Sequence, residues 1–597
     1  MKQKQPSPEK KTNQNLFQKL NLFLNTKYGR YALLLSSALG IGLLNFALFL
    51  HTKTPKELQN FQIIRKNNQL YWISEQPKPK QGLFGVWPKE TVQQIRKITL
   101  VYWTILCILL YLYTKSQGQK ILLLEWAQKH PLAIATLIFL LPFAITRLTP
   151  LLYYFKPKFF PDSHTYIAIW KQMEKGTWPT LAFRPPGYPT FLWAIFQLWP
   201  SWKAVVIAQM ILSMLSCLFL IYTIYKLYPQ LTIPAAIAMA AFSCSNTYLL
   251  YDLSILTESL TASTYLLALA LLIKALYTKK HRYFLLTSLL LAYATLLRPA
   301  ALSWGAVLAL TAFYLYKNQY GLASILSLWI PFTLTYIGLC LYNLLTFGLF
   351  AFSLMGNLAI FGATATYATP RPEFPNKINQ VIHKVHRSIS EKERQILQHS
   401  WNREKFQSLY QKYFGYAIYQ TNLLPIRNLA LYGELKKVAA LAILEHPQLY
   451  CKTILTTNLT FLFHNIKRKT YLFYQMEFLS KPSFLERAFT LHEWINSFLF
   501  RTSLWPILAI LIFLFALLRW IKSSFQDKEA FLLILLGSIA LSASLLVSLV
   551  SMPLLRYSYL VEFTYYLTVA LSPLLLWNKI NQKEKENQKE PSPPTSD

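Results

Sequence analysis

Apolar residues in this chain arrive in blocks of about 20, the length a helix needs to cross the hydrocarbon core of a bilayer. That recurrence constrains the fold more than any other feature, because a backbone crossing lipid must satisfy its hydrogen bonds internally. The run Ile-Gly-Leu-Leu-Asn-Phe-Ala-Leu-Phe-Leu at 41–50 belongs to the first block, and others recur to residue 577. The pattern predicts an all-α, polytopic integral membrane protein with about 12 transmembrane helices. The expected spans are 31–50, 98–115, 131–149, 203–224, 232–250, 258–277, 283–297, 299–316, 323–345, 503–520, 529–550 and 557–577. Composition agrees: 14% of the 597 residues are charged, against about a quarter in soluble domains.

The charge balance sets the orientation. Sixty Lys and Arg against 25 Asp and Glu give a net charge of +35. In a soluble protein that excess points to nucleic acid. Here short cytoplasmic loops that collect Lys and Arg account for it, and no nucleic-acid partner is expected. With the N-terminus inside, the cytoplasmic side holds Lys120 and Lys129, Lys226, Lys279, Lys280 and Arg282, Lys317, then Arg519, Lys522 and Lys528. The tail adds Lys579, Lys583, Lys585 and Lys589. The loop 51–97 is also basic and falls outside, but long loops weigh little in this rule. N- and C-termini are therefore expected in the cytoplasm, and the block after the basic residues 1–30 is too long for a cleaved signal and reads as a signal-anchor. Five cysteines are too few and too scattered for a disulfide framework.

Five regions follow. Residues 1–130 hold a cytoplasmic N-terminus, two extra spans and an outer loop; 131–345 form a transmembrane core with an outer loop at 150–202. Residues 346–502 form a large helical outer loop, 503–577 the last spans and 578–597 a disordered cytoplasmic tail. A loop as long as 346–502 is usually functional. Within 150–202, Tyr166, Ile169, Trp170 and Met173 fall on one helical face, as a helix lying in the interface requires. The short apolar run Tyr188–Leu198, with Pro186, Pro189 and Pro200 around it, reads as a second such helix.

Acids are scarce, so each one on the outer side matters. Asp162 stands just before the first interfacial helix, where it can serve either as an N-cap or in chemistry. Asp252 and Glu258 share the next outer turn, and Glu258 opens a membrane helix, where a carboxylate is costly and suggests function. Either acid can also simply complement a helix N-terminus. Arg184, Arg298 and Arg556 sit at outer ends of spans. Arginine's planar fork suits phosphate oxygens, while snorkelling to headgroups is the plain alternative. His164 has no Cys or acid at metal spacing and reads as an exposed polar residue; no metal or other cofactor is expected.

At these residues the chain resembles the C-type membrane glycosyltransferases (GT-C), in the branch of the protein O-mannosyltransferases and the lipid A aminoarabinose transferase. The match is carried by Pro-Asp-Ser-His-Thr-Tyr at 161–166, Arg-Pro-Pro-Gly-Tyr-Pro at 184–189, Leu-Thr-Glu-Ser-Leu at 256–260, Leu-Leu-Arg-Pro at 296–299 and Tyr-Asn-Leu-Leu-Thr-Phe-Gly at 342–348. The Arg556-Tyr557 pair before the last span and His446-Pro447 in the long loop are also similar. The likeness covers about 131–350 and the last spans. Where the protein mannosyltransferases have an acidic pair, this chain has Asp162 followed by Ser163.

The resemblance implies inverting transfer of a sugar from a polyprenyl phosphate to a glycan, lipid or protein acceptor at the outer face of a bacterial inner membrane. It implies Asp162 as the base and Glu258 as the second acid, with Asp252 still eligible. Arg298 and Arg556 would stabilise charge growing on the phosphate, and Tyr166, Arg184, Asn343 and Tyr557 would complete the substrate site. Two other readings are an O-antigen polymerase or ligase, which would act on lipid pyrophosphates, and a non-enzymatic transporter or flippase. A transporter should show internal repeats and helices broken near mid-membrane, and no repeat is evident. The threading predicts that a reporter fused after Lys280 is cytoplasmic and one fused near Lys412 is external. Both reporters on one side would overturn it.

Overall fold

The computed structural model describes residues 61–66, 69–74, 130–153, 157–176, 184–243, 245–400, 402–422, 430–462, 504–550 and 559–587. The chain divides into two units, 1–118 and 119–597. In the first, β1 (Phe61–Lys66) and β2 (Gln69–Ser74) pair antiparallel, Phe61 opposite Ser74 and Lys66 opposite Gln69. Regular structure elsewhere among the described residues is helical, as expected, and the exception is this hairpin. Its strands carry the β-branched and aromatic residues Phe61, Ile63, Ile64, Tyr71, Trp72 and Ile73. The turn-forming pair Asn67-Asn68 lies between them in sequence. The expected spans 31–50 and 98–115 lie outside the described residues.

The second unit is helical. Its first helices are α1 (Pro131–Tyr153), α2 (Pro161–Glu174), α3 (Gly187–Leu198), α4 (Trp202–Leu227), α5 (Thr232–Ser243) and α6 (Asn246–Asp252). Then come α7 (Thr257–Thr278), α8 (His281–Leu297), α9 (Trp304–Lys317) and α10 (Leu322–Phe347). Five helical stretches among the described residues are long and apolar enough to cross a membrane: Trp202–Leu227, Thr257–Thr278, Pro299–Lys317, Leu322–Phe347 and Lys528–Leu549. The protein is thus an integral membrane protein. The expected span 232–250 is not one helix. Polar Ser243, Ser245 and Asn246 interrupt it, and the Ser245 hydroxyl accepts from the Tyr248 N–H at 3.2 Å to start α6 afresh.

Helix α7 is the centre of the bundle: every residue from Thr257 to Leu266 is buried. Its hydroxyls would be expensive there, but Thr261, Ser263 and Thr264 each donate to the carbonyl four residues back, at 2.7–2.9 Å. Pro331 lies inside α10. The next N–H, of Phe332, donates to the Ser288 hydroxyl of α8 at 3.2 Å. A neighbouring helix thereby satisfies a group near the break, as lipid surroundings require. Gly348 closes α10 at φ +71, the left-handed cap that glycine adopts freely.

The long loop opens with α11 (Leu354–Thr364), α12 (Asn376–Ser388), α13 (Glu391–His399), α14 (Arg403–Asn422), α15 (Ala430–Glu445) and α16 (Pro447–Leu462). Ile378, Val381, Ile382 and Val385 recur at helical spacing on α12 and are all buried. They pack with Leu358, Phe361, Tyr413, Leu435 and Val438 into a core belonging to the insertion itself. The Tyr450 hydroxyl donates to the Leu549 carbonyl at 2.6 Å, joining α16 to the end of the span α18 (Lys528–Val550). Among the described residues the remaining α-helices are α17 (Leu504–Lys522) and α19 (Glu562–Asn587). The latter runs past 578, where a disordered tail was expected, through a stretch rich in the helix formers Gln, Glu and Lys.

A capping box starts α13. Glu393 accepts from the Ser390 N–H at 3.0 Å and also from Lys412 and Tyr413, each at 2.8 Å. Lys412 first, then Ser390, hold its carboxyl at about 2, below the ordinary 4.5. A depressed carboxyl adds stability that is complete above its unfolded value and is lost as pH falls through the folded one. Hydrogen exchange across 391–422, corrected for intrinsic rate, should therefore show protection falling between pH 4.5 and 2. Glu393→Gln should be less protected already at neutral pH and lack that step; identical profiles would remove the assigned role.

Candidate active site

A three-residue backbone staple gathers the acids. The Lys158 N–H donates to the Leu253 carbonyl and the Ile255 N–H to the Lys158 carbonyl, both at 2.9 Å, forming a parallel bridge between Lys158 and Ser254. The start of α2, with Asp162, is thus fixed to the segment between α6 and α7, which carries Asp252 and Glu258.

Asp162 does not cap its helix. Pro161 takes the first helical position, so the helix starts two residues earlier than expected and Asp162 lies in its first turn. Capping passes to Ser163, whose hydroxyl accepts from the Phe160 N–H at 2.9 Å. The Asp162 carboxylate pairs with Arg184 at 2.8 Å and keeps 26% of its side chain exposed. The Arg184 guanidinium also lies over the Tyr166 ring, 5.1 Å from its centroid. His164, expected to be exposed, is half-buried and stacked on Phe159, with ring centroids 6.4 Å apart. Burial lowers its pKa.

Two tyrosines lead inward from this pair. Tyr166 meets Tyr188 edge to face at 5.3 Å. The Tyr188 hydroxyl donates to Gln209 at 2.7 Å. The Gln209 amide donates in turn to the carbonyls of Asp252, at 3.2 Å, and Ser254, at 2.9 Å. Burial first, then the charge of Glu258, pushes the Tyr188 phenol well above its ordinary pKa.

Glu258 lies in the first turn of α7 and pairs with Arg298 at 2.6 Å, both buried. Pro299 explains where that arginine stands. A residue before proline is driven out of helical geometry, and Arg298 is extended (φ −149, ψ 132) in the gap after α8. Asp252 has no exposure at all. It accepts from Arg147 at 2.8 and 3.1 Å and from the Ser259 hydroxyl at 2.5 Å. Arg147 also donates to the Ser243 carbonyl and stacks against Phe143 and Tyr248.

Sequence reasoning missed Arg147 and Gln209. An arginine inside an apolar span was a usable signal, since such a residue needs an intramembrane partner; Gln209 gave none beyond being polar in a span. Asp162, Arg184 and Tyr166 are linked to the Asp252 backbone through Tyr188 and Gln209, while Glu258 and Arg298 pair with each other at the start of α7. Asn343 is buried and otherwise engaged, donating to the carbonyls of Ala351 at 2.7 Å and Phe352 at 3.2 Å. Arg556 and Tyr557 lie outside the described residues. No group of three or more His, Cys, Asp or Glu able to hold a metal ion occurs among the described residues.

The sequence matches no family model and no curated protein. Among solved structures it is similar to the archaeal oligosaccharyltransferase AglB from Archaeoglobus fulgidus in complex with an inhibitory peptide and a dolichol-phosphate. Identity is 12%, over 79% of this chain and 53% of that one, with a TM-score of 0.37. It is likewise similar to the Archaeoglobus fulgidus oligosaccharyltransferase tethered through a disulfide to an acceptor peptide containing the NVT sequon. There identity is 12%, over 77% of this chain and 51% of that one, with a TM-score of 0.37. The likeness is loose, and this chain spans about half the length of either neighbour.

Gly187 sets the distance between α3 and α8. A Cβ there would stand 2.6 Å from the Leu296 carbonyl carbon and 2.9 Å from the Leu297 nitrogen, both backbone atoms. Gly187→Ala should therefore cost about 1–3 kcal/mol, as overpacking does, and lower the melting temperature in detergent. A variant melting with wild type would show that the two helices are not held at this distance.

Proposed function

We propose that this protein is a membrane glycosyltransferase of the GT-C type. It moves a sugar with inversion from a polyprenyl-phosphate donor to an acceptor hydroxyl at the outer face of a bacterial inner membrane. The acceptor is a glycan, a lipid or a protein. The observation that carries the reading is the graded burial of three arginine–carboxylate pairs. Asp252 and Glu258 are enclosed, while Asp162, held by Arg184 at 2.8 Å, keeps a quarter of its side chain open. A general base must be reachable by the proton it takes, and Asp162 alone among the three is open to an incoming hydroxyl.

In this scheme the Asp162 carboxylate accepts the acceptor's proton as its oxygen attacks the anomeric carbon. The bond from that carbon to the phosphate oxygen breaks, and lipid phosphate leaves with the electron pair. Arg184 and the Tyr166 ring orient the carboxylate. Arg298, oriented by Glu258, and Arg556 offset the charge growing on the phosphate. Asp252 takes a supporting part, its carboxylate being engaged by Arg147 and Ser259. No step calls for a metal, since the arginines supply the charge.

Incubation of the purified protein with a panel of polyprenyl-phosphate sugars, following sugar release, tests the reaction; release only from pyrophosphate-linked glycans would favour the polymerase or ligase reading. Asp162→Asn keeps shape and an acceptor oxygen but cannot take a proton. It should fold and melt like wild type and transfer sugar roughly 10²–10⁴-fold more slowly, the usual cost of losing a general base. A well-folded Asp162→Asn protein with near wild-type transfer would falsify the assignment.

A further inference from the structure

Lys158 is a cation that the scheme above leaves unused. Both of its backbone groups are committed to the bridge with 253–255, so its Cα is fixed between the segments that carry Asp162 and Glu258. Its ammonium nitrogen is buried and has no hydrogen-bond partner among the described residues. The contrast with its neighbours is chemical. Arg147, Arg184 and Arg298 each have a carboxylate within 2.8 Å, whereas Lys158 has none among the described residues.

A buried ammonium without a counter-ion is unfavourable, and burial lowers its pKa from 10.5 to about 8. The fold therefore holds a buried amine whose N–H donors are unengaged among the described residues. A lysine needed only for packing would be served better by methionine, which brings similar length and no desolvation cost.

We propose that Lys158 is an anion-binding residue that donates to a phosphate oxygen of a bound substrate. Phosphate as the anion rests on the glycosyl-transfer reading; binding of an anion does not. The phosphate can belong to the lipid carrier or to a phosphate-bearing acceptor, and the two sources are separable by experiment.

The test uses the full chain in lipid nanodiscs, with polyprenyl phosphate, inorganic phosphate and uncharged polyprenol as probes. Losing a charge-assisted hydrogen bond should weaken phosphate binding by Lys158→Met roughly ten- to a hundredfold. Lys158→Arg should restore it to within a few fold, and polyprenol should bind all proteins alike. A loss confined to polyprenyl phosphate assigns the carrier, and a loss shared with inorganic phosphate assigns the acceptor side. The melting temperature of Lys158→Met should equal or exceed that of wild type; should that variant not fold, Lys158→Gln makes the same comparison. Unchanged affinity for both phosphates in a folded variant overturns the proposal. Lys158-dependent phosphate binding without transfer of any sugar would instead remove the glycosyl-transfer reading and leave this one standing.

Discussion

The Arg147–Asp252 pair joins helices that are far apart in sequence. It lies where neither charge meets water, so its geometry has to be good. The guanidinium reaches one carboxylate oxygen at 2.8 and 3.1 Å, and the Ser259 hydroxyl reaches the other at 2.5 Å. Removing one member of such a pair leaves an uncompensated buried charge and typically costs about 3–5 kcal/mol. Here it would also release the segment 252–255, because the carbonyls of Asp252 and Ser254 are the acceptors through which Gln209 holds Tyr188. That segment is in turn the partner of Lys158 in the bridge that places Asp162. Geometry at the exposed carboxylate is therefore set by an ion pair that no substrate can touch.

Five of the expected spans, 203–224, 258–277, 299–316, 323–345 and 529–550, were legible because lipid leaves a chain few choices beyond long apolar blocks. The break at Arg298 could be read from Pro299 alone, as could the buried face Tyr166, Ile169 and Trp170 from its spacing. What stayed hidden depended on distance in sequence or on competition at one turn. Nothing near Arg147 announces a partner 105 residues away. Asp162 and Ser163 are both good cap formers, and which of them caps turned on Pro161 taking the first helical position. The division of 232–250 into two helices had a local cue in Ser243, Ser245 and Asn246, outweighed by the apolar residues on either side.

The insertion after α10 is built on different physics from the bundle. Its helix α12 has four buried aliphatic residues and an otherwise polar surface, the pattern of a water-facing element. It keeps its own core and reaches the spans through contacts such as Tyr450 to Leu549. A body of this kind can shape access to a site without supplying its charges.

The uneven exposure of the three carboxylates has one more consequence. Attraction between opposite charges grows as the surrounding dielectric falls, so the Asp162–Arg184 pair is the one whose strength still depends on what covers it. A bound molecule that displaces water there draws the pair toward the condition the two inner pairs already have. Occupancy would then tighten the tie between α2 and the chain entering α3, and the empty site would be its slackest state. In that sense a molecule bound over Asp162 would complete the consolidation that the inner pairs already have.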